Sequence, residues 1–151
     1  MRRFSLLVAT AVVLAGTRAA AQRLPPAPRA LHVALTRAPI LELAFHDLAI
    51  VRWMTNNPGG PDVHVGVVRY GTDPAHLSLV ARSPVRLNRG HADTVFRVRI
   101  TGLAPRTTYY FQVASVDSTG RSDAVASPIA SFTTPGAGER FLAALPPPLA
   151  R

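Results

Sequence analysis

Ile100-Thr101-Gly102-Leu103-Ala104-Pro105-Arg106-Thr107-Thr108-Tyr109-Tyr110-Phe111-Gln112-Val113 reads as one antiparallel strand, a tight corner and the start of the next strand. Before the corner, Phe96, Val98 and Ile100 alternate with Arg97 and Arg99, the period of two that buries one face of a strand and wets the other. After it, Tyr109, Phe111 and Val113 alternate with Tyr110, Gln112 and Ala114. Working outward, the text from Pro39 to Pro135 is a series of such short runs separated by turn chemistry. Leu41 to Phe45 is a first strand. Leu48 to Thr55 is a second, with Ala49, Val51 and Trp53 inward and Ile50 and Arg52 outward. A loop of Asn56, Asn57, Pro58, Gly59 and Gly60 then turns the chain. Val63 to Tyr70, Leu77 to Val80 (a short edge strand), Thr94 to Thr101, Thr108 to Val116 and Ile129 to Thr134 complete seven strands of an all-β antiparallel sandwich.

The third strand admits two readings. Counting back from Tyr70 puts Val68, Gly66 and His64 inward, with Val63, Val65 and Val67 outside beside Arg69. A bulge at Gly66 turns some of those valines inward, and that is the preferred reading. Without it, Val65 and Val67 lie beside Tyr110 of the neighbouring strand as an exposed apolar stripe, a candidate partner surface.

The spacing Leu103-x-Pro105-x-x-x-Tyr109 resembles the E–F corner of a fibronectin type III domain. Trp53 in Val51-Arg52-Trp53, Tyr70 ending the third strand and the closing Phe132-Thr133-Thr134-Pro135 match the same pattern. Arg69-Tyr70-Gly71-Thr72-Asp73-Pro74, with Thr107 to Phe111, looks like the bacterial extracellular version of the module. It is also similar to the small sandwich that precedes the catalytic domain of purple acid phosphatases. The resemblance implies an immunoglobulin-like fold in which Trp53, Tyr70, Leu103, Pro105 and Tyr109 are structural, the Tyr109 hydroxyl bonding back to upstream backbone. It implies an extracellular binding or spacer module and no particular activity. Asn88-Arg89-Gly90-His91 is not an Arg-Gly-Asp adhesion signal, and the chain has no Asn-x-Ser/Thr sequon.

Ahead of the domain, Arg2 and Arg3, the apolar run Phe4 to Ala15 and the small residues Ala19-Ala20-Ala21 read as a signal peptide over 1–21. The run is too short to span a bilayer, for which about 20 apolar residues are needed, and no later segment is longer. Residues 22–38 read as a Pro-rich linker, 39–135 as the domain and 136–151 as a Gly/Pro-rich tail, although Leu31 to Leu35 has the character of an edge strand. The mature 130 residues suffice for one core, and with no cysteine that core rests on packing and backbone hydrogen bonds.

All 17 basic residues are Arg. Three leave with the signal, so 14 face 8 acidic residues, a net +6 scattered over linkers, loops and solvent faces. A nucleic-acid binder clusters basic residues with stacking aromatics, and specific nucleic-acid binding is not expected. No Gly-x-Ser-x-Gly elbow frames a serine, and no His-Glu-x-x-His, acidic calcium loop or Gly-rich phosphate loop occurs. His46 stands in a turn, His64 at the edge of the core, His76 beside a Pro-containing turn and His91 at a strand start, each with an adequate structural role. The chain is therefore expected to be an exported non-enzyme without cofactor or metal, acting on an extracellular protein or polysaccharide through the loops at one end of the sandwich or an edge strand, with Val65, Val67 and Tyr110 as a candidate surface contact. The alternative is an accessory domain of a secreted hydrolase whose catalytic part is carried elsewhere.

Overall fold

A computed structural model describes residues 30–87 and 90–143; the targeting segment, the first part of the Pro-rich stretch and Pro146-Pro147-Pro148 lie outside the described residues. Nine strands are present: β1 (Leu35–Ala44), β2 (Leu48–Asn56), β3 (Val63–Gly71), β4 (Leu79–Arg86), β5 (Asp93–Thr101), β6 (Thr108–Asp117), β7 (Ser122–Ala126), β8 (Ala130–Thr133) and β9 (Phe141–Leu142). One antiparallel sheet runs β5-β2-β1-β9 and the other β4-β3-β6, with β7 and β8 each pairing part of β6. Ala49, Val51, Trp53, Phe96, Val98 and Ile100 from the first sheet meet Val68, Tyr70, Phe111, Val113 and Phe132 from the second. Alternation alone sets this inner face, because successive strand residues point to opposite sides.

Four boundaries differ from the sequence reading. The chain read as linker supplies Leu35 to Ala38 to β1, where Pro39 is accommodated by a register shift between Arg37 and Ile40. Leu77 and Ser78 belong to a turn tied by Ser78 N–H to His76 O, and the edge strand begins at Leu79 and runs to Arg86. The segment read as tail pairs Phe141 and Leu142 with Ala44 and Leu43. A strand not read in the sequence, β7, precedes the closing strand, which is β8; between them Ser127 donates its N–H to Val113 O, and its hydroxyl accepts from Val113 N–H and donates to Pro128 O. These extra pieces raise seven strands to nine within the same sandwich.

The bulge at Gly66 is absent. β3 pairs residue for residue with both neighbours, from Val63↔Arg86 to Tyr70↔Leu79 and from His64↔Asp117 to Gly71↔Tyr110. Glycine stands there for room: a Cβ would lie 2.9 Å from Trp53 Cη2, 3.0 Å from Val98 Cγ2 and 3.1 Å from Phe96 Cδ1. Gly66→Ala is expected to destabilise the domain by about 1–3 kcal/mol through overpacking, read as a lower urea midpoint. An unchanged midpoint would show that the Trp53 ring yields freely.

At the corner, Ala104 N–H donates to the Tyr109 hydroxyl at 2.9 Å, and Leu103 N–H to Asp47 O at 3.0 Å. Pro105 is exposed at the tip, and Arg106 takes a left-handed φ of 50°. Thr134 clamps the far side, its hydroxyl donating to Ala104 O at 2.6 Å and accepting from Thr107 N–H at 3.0 Å. The Tyr109 ring lies against Tyr70 and Phe132, with centroids 6.2 and 5.8 Å away. Burial raises the Tyr70 hydroxyl above the ordinary phenol range, with Tyr109 adding to the shift, so the phenol stays neutral. Tyr109→Phe strands the Ala104 N–H and is expected to cost about 1 kcal/mol or more. Equal denaturant midpoints for mutant and parent would refute that role.

Candidate functional site

Two surfaces carry organised chemistry. The first is a cleft of about 640 Å³ at one end of the sandwich, where residues 30–33, residues 58–61 of the β2–β3 loop, and Arg121 with the start of β7 meet around His64 and Asp117. The β2 end holds the leading segment in place: Asn56 donates its amide to His32 O and accepts Ala34 N–H, each at 2.9 Å. Asp117 shapes the opposite wall by accepting Thr119 Oγ1–H at 2.6 Å and the N–H groups of Thr119 and Arg121.

Beneath the cleft lies a buried polar cross-link. Asp123 Oδ2 accepts the Ser115 hydroxyl at 2.7 Å and faces His64 Nδ1 at 2.9 Å. The other ring nitrogen, Nε2, lies 3.1 Å from Gly59 O, so both ring nitrogens are engaged. His64 and Asp123 expose 2% and 8% of their side chains. Strand β3 thus ties to β6, β7 and the β2–β3 loop at one point.

Strand β7 is irregular but places Asp123 on its inner face. Ala126 pairs with Ala114 and Ser122 with Val116, so four steps on β7 match two on β6. Ala124 takes a φ of 57° where the excess lies, and alternation is kept through it: Ser122, Ala124 and Ala126 face out while Asp123 and Val125 face in. Sequence reasoning missed Asp123 and Ser115. The available signal was two polar residues, His64 and Ser115, in the inward phase of adjacent strands, which demand a buried partner.

Chemically the trio is a clasp. A nucleophilic serine needs its proton taken by the imidazole, whereas here hydroxyl and imidazole both address the carboxylate. Among the described residues, no group of three or more His, Cys, Asp or Glu is arranged to hold a metal ion.

The second surface is the outer face of the β4-β3-β6 sheet. Register places Pro84, Val65 and Val116 in one cross-strand row, Arg82, Val67 and Ala114 in the next, and Val80, Arg69 and Gln112 in a third. The expected stripe of Val65, Val67 and Tyr110 does not form. Val67 is only 7% exposed, and Tyr110 sits opposite Gly71 and Ser131, four residues along β6 from Ala114 or about 13 Å away. Val65 is half-buried and Val80 is exposed, so apolar contact area remains on this face without Tyr110. Arg69, Arg82 and Arg86 are exposed there and pair with no acid among the described residues. The opposite sheet differs: Glu42 takes both Arg97 Nε (2.8 Å) and Arg97 Nη2 (3.1 Å), with Arg52 Nε 3.7 Å away.

Hydrogen bonds lower three carboxyls below their ordinary values: Glu42 by Arg97, Asp73 by His76, and Asp117 by the Thr119 hydroxyl. Folded values below unfolded ones mean stability that is full above the ordinary carboxylate range and lost as pH falls through the lowered values. Melting temperature should therefore drop on acidification below about pH 4. Asp117→Asn, which keeps an oxygen acceptor, should flatten that fall; an identical acid limb would remove Asp117 from the account.

The architecture defines an all-β, two-sheet, fibronectin type III-like sandwich. The chain belongs to the family of purple acid phosphatase N-terminal domains, whose model matches residues 28–134. No curated protein matches at a significant level. Similar solved structures include the sensor domain of the anti-sigma factor RsgI4 from Pseudobacteroides cellulosolvens (16% identity, 76% of this chain and 98% of that one, TM-score 0.43). Another is the FN1–FN3 segment of chicken CNTN1 (18% identity, 72% and 33%, TM-score 0.44). A third is a domain of human fibronectin type III domain containing protein 3 (17% identity, 76% and 90%, TM-score 0.42). Among the described residues no helix is long and apolar enough to cross a membrane.

Proposed function

We propose that this chain is an exported, non-enzymatic sandwich module that works through surface contacts with a protein or polysaccharide at the cell envelope. The observation that carries this reading is the Ser115–Asp123–His64 clasp: the buried nucleophile-type and base-type side chains are consumed in bonds that hold strands together. What the cleft and outer face then offer is shape, backbone and charge. Export is supported by the basic, apolar and small-residue run of positions 1–21.

A second reading draws on the family match: an accessory domain of a phosphatase whose catalytic part is carried elsewhere. A phosphatase reading frame beside this one favours it; secretion of the chain with no such neighbour favours the first. The first reading is tested by incubating the metal-supplemented full chain with phosphate-ester, peptide and glycoside substrates, with no turnover expected. Turnover proportional to protein and abolished by one His or Asp substitution would overturn it.

A further inference from the structure

We propose that the outer face of the β4-β3-β6 sheet docks an acidic protein surface, one whose apolar patch is flanked by carboxylates. The inference rests on the non-catalytic module reading and adds its partner class. Arg69 lies one cross-strand row from Arg82, and Arg86 two rows further along the same strand, so at about 7 Å per row the three cations line roughly 20 Å of this face. None of the chain's 8 acidic residues holds an outward position on β3, β4 or β6, Asp117 pairing with the inward His64. A patch of unpaired guanidinium groups recruits carboxylates through paired N–H donors.

The residues beside the cations narrow the choice. Val65, Val116, Val80 and Pro84 put apolar surface beside the arginines, so apolar contact and charge share one face. A polyanionic polysaccharide covers the arginines and leaves the valines wet. Nucleic acid wants stacking platforms, and the only aromatic on this face is Tyr110 at one end. A second copy of this chain sets Arg against Arg. An acidic protein patch satisfies both the cations and the apolar surface.

Four probes test this with the full chain by fluorescence anisotropy: a peptide alternating Glu and Val, poly-glutamate of equal charge, heparin and a single-stranded oligonucleotide. The alternating peptide is expected to bind about tenfold more tightly than poly-glutamate, since only it buries the valines. The triple variant R69Q/R82Q/R86Q should weaken it by about tenfold or more, and Val65→Ser should weaken it as well. The control R37Q/R99Q/R140Q removes the same charge elsewhere and should leave binding within about twofold, with parental melting curves for both triples. Equal loss in both triples reduces the effect to net charge and overturns the proposal. Heparin or oligonucleotide binding as tightly as the alternating peptide overturns it too. Neither failure touches the non-catalytic reading, which falls only on hydrolytic turnover.

Discussion

Trp53→Ala is expected to destabilise the domain by roughly 3–5 kcal/mol, enough to unfold most of a chain of this size that has no disulfide. Trp53 is 1% exposed and stacks on Phe96 with ring centroids 5.2 Å apart. Its ring fills the space that Gly66 leaves open on the facing sheet, so truncation opens a cavity between the two layers. The indole N–H is buried without a hydrogen-bond partner, which offsets part of the gain from burying the ring. Trp53→Phe removes that stranded donor and should cost clearly less than Trp53→Ala. The check is chemical denaturation of both variants. A soluble Ala variant with the parental melting curve would place the indole outside the core.

The second large effect is expected at the clasp. Asp123→Ala leaves the Ser115 hydroxyl and His64 Nδ1 without their shared partner in a buried site, two stranded polar groups at about 1–3 kcal/mol each. Asp123→Asn keeps an oxygen and should cost about 1–2 kcal/mol. Removing both ends, in His64→Leu with Asp123→Ala, should cost less than the sum of the singles, because neither side chain is then left buried without the other. Strict additivity across that cycle would show that the two side chains do not stabilise each other. The same variants bear on the cleft, whose wall from Arg121 to Ala124 is anchored by Asp123.

The inner phase of most strands, the stacked aromatic core and the corner around Tyr109 were legible in the sequence. Each is set by local rules: period-two alternation and the fixed spacing of a short turn. Tertiary structure alone decided the rest. Gly66 is ambiguous in one dimension, since glycine serves a bulge and a crowded crossing equally well; the Trp53 ring from the other sheet made it the second. Ser122 to Ala126 is short and carries one large apolar residue, Val125, so its residue types show no period, and only pairing with β6 reveals a strand there. Asp123, remote in sequence from His64, meets it because β7 lies beside β6 in the sheet that holds β3. Val67, outward by phase, is nonetheless buried between its cross-strand neighbours Arg82 and Ala114. Periodicity assigns a residue to a face, whereas exposure and partners depend on which strands lie alongside, and that is settled when distant segments pair.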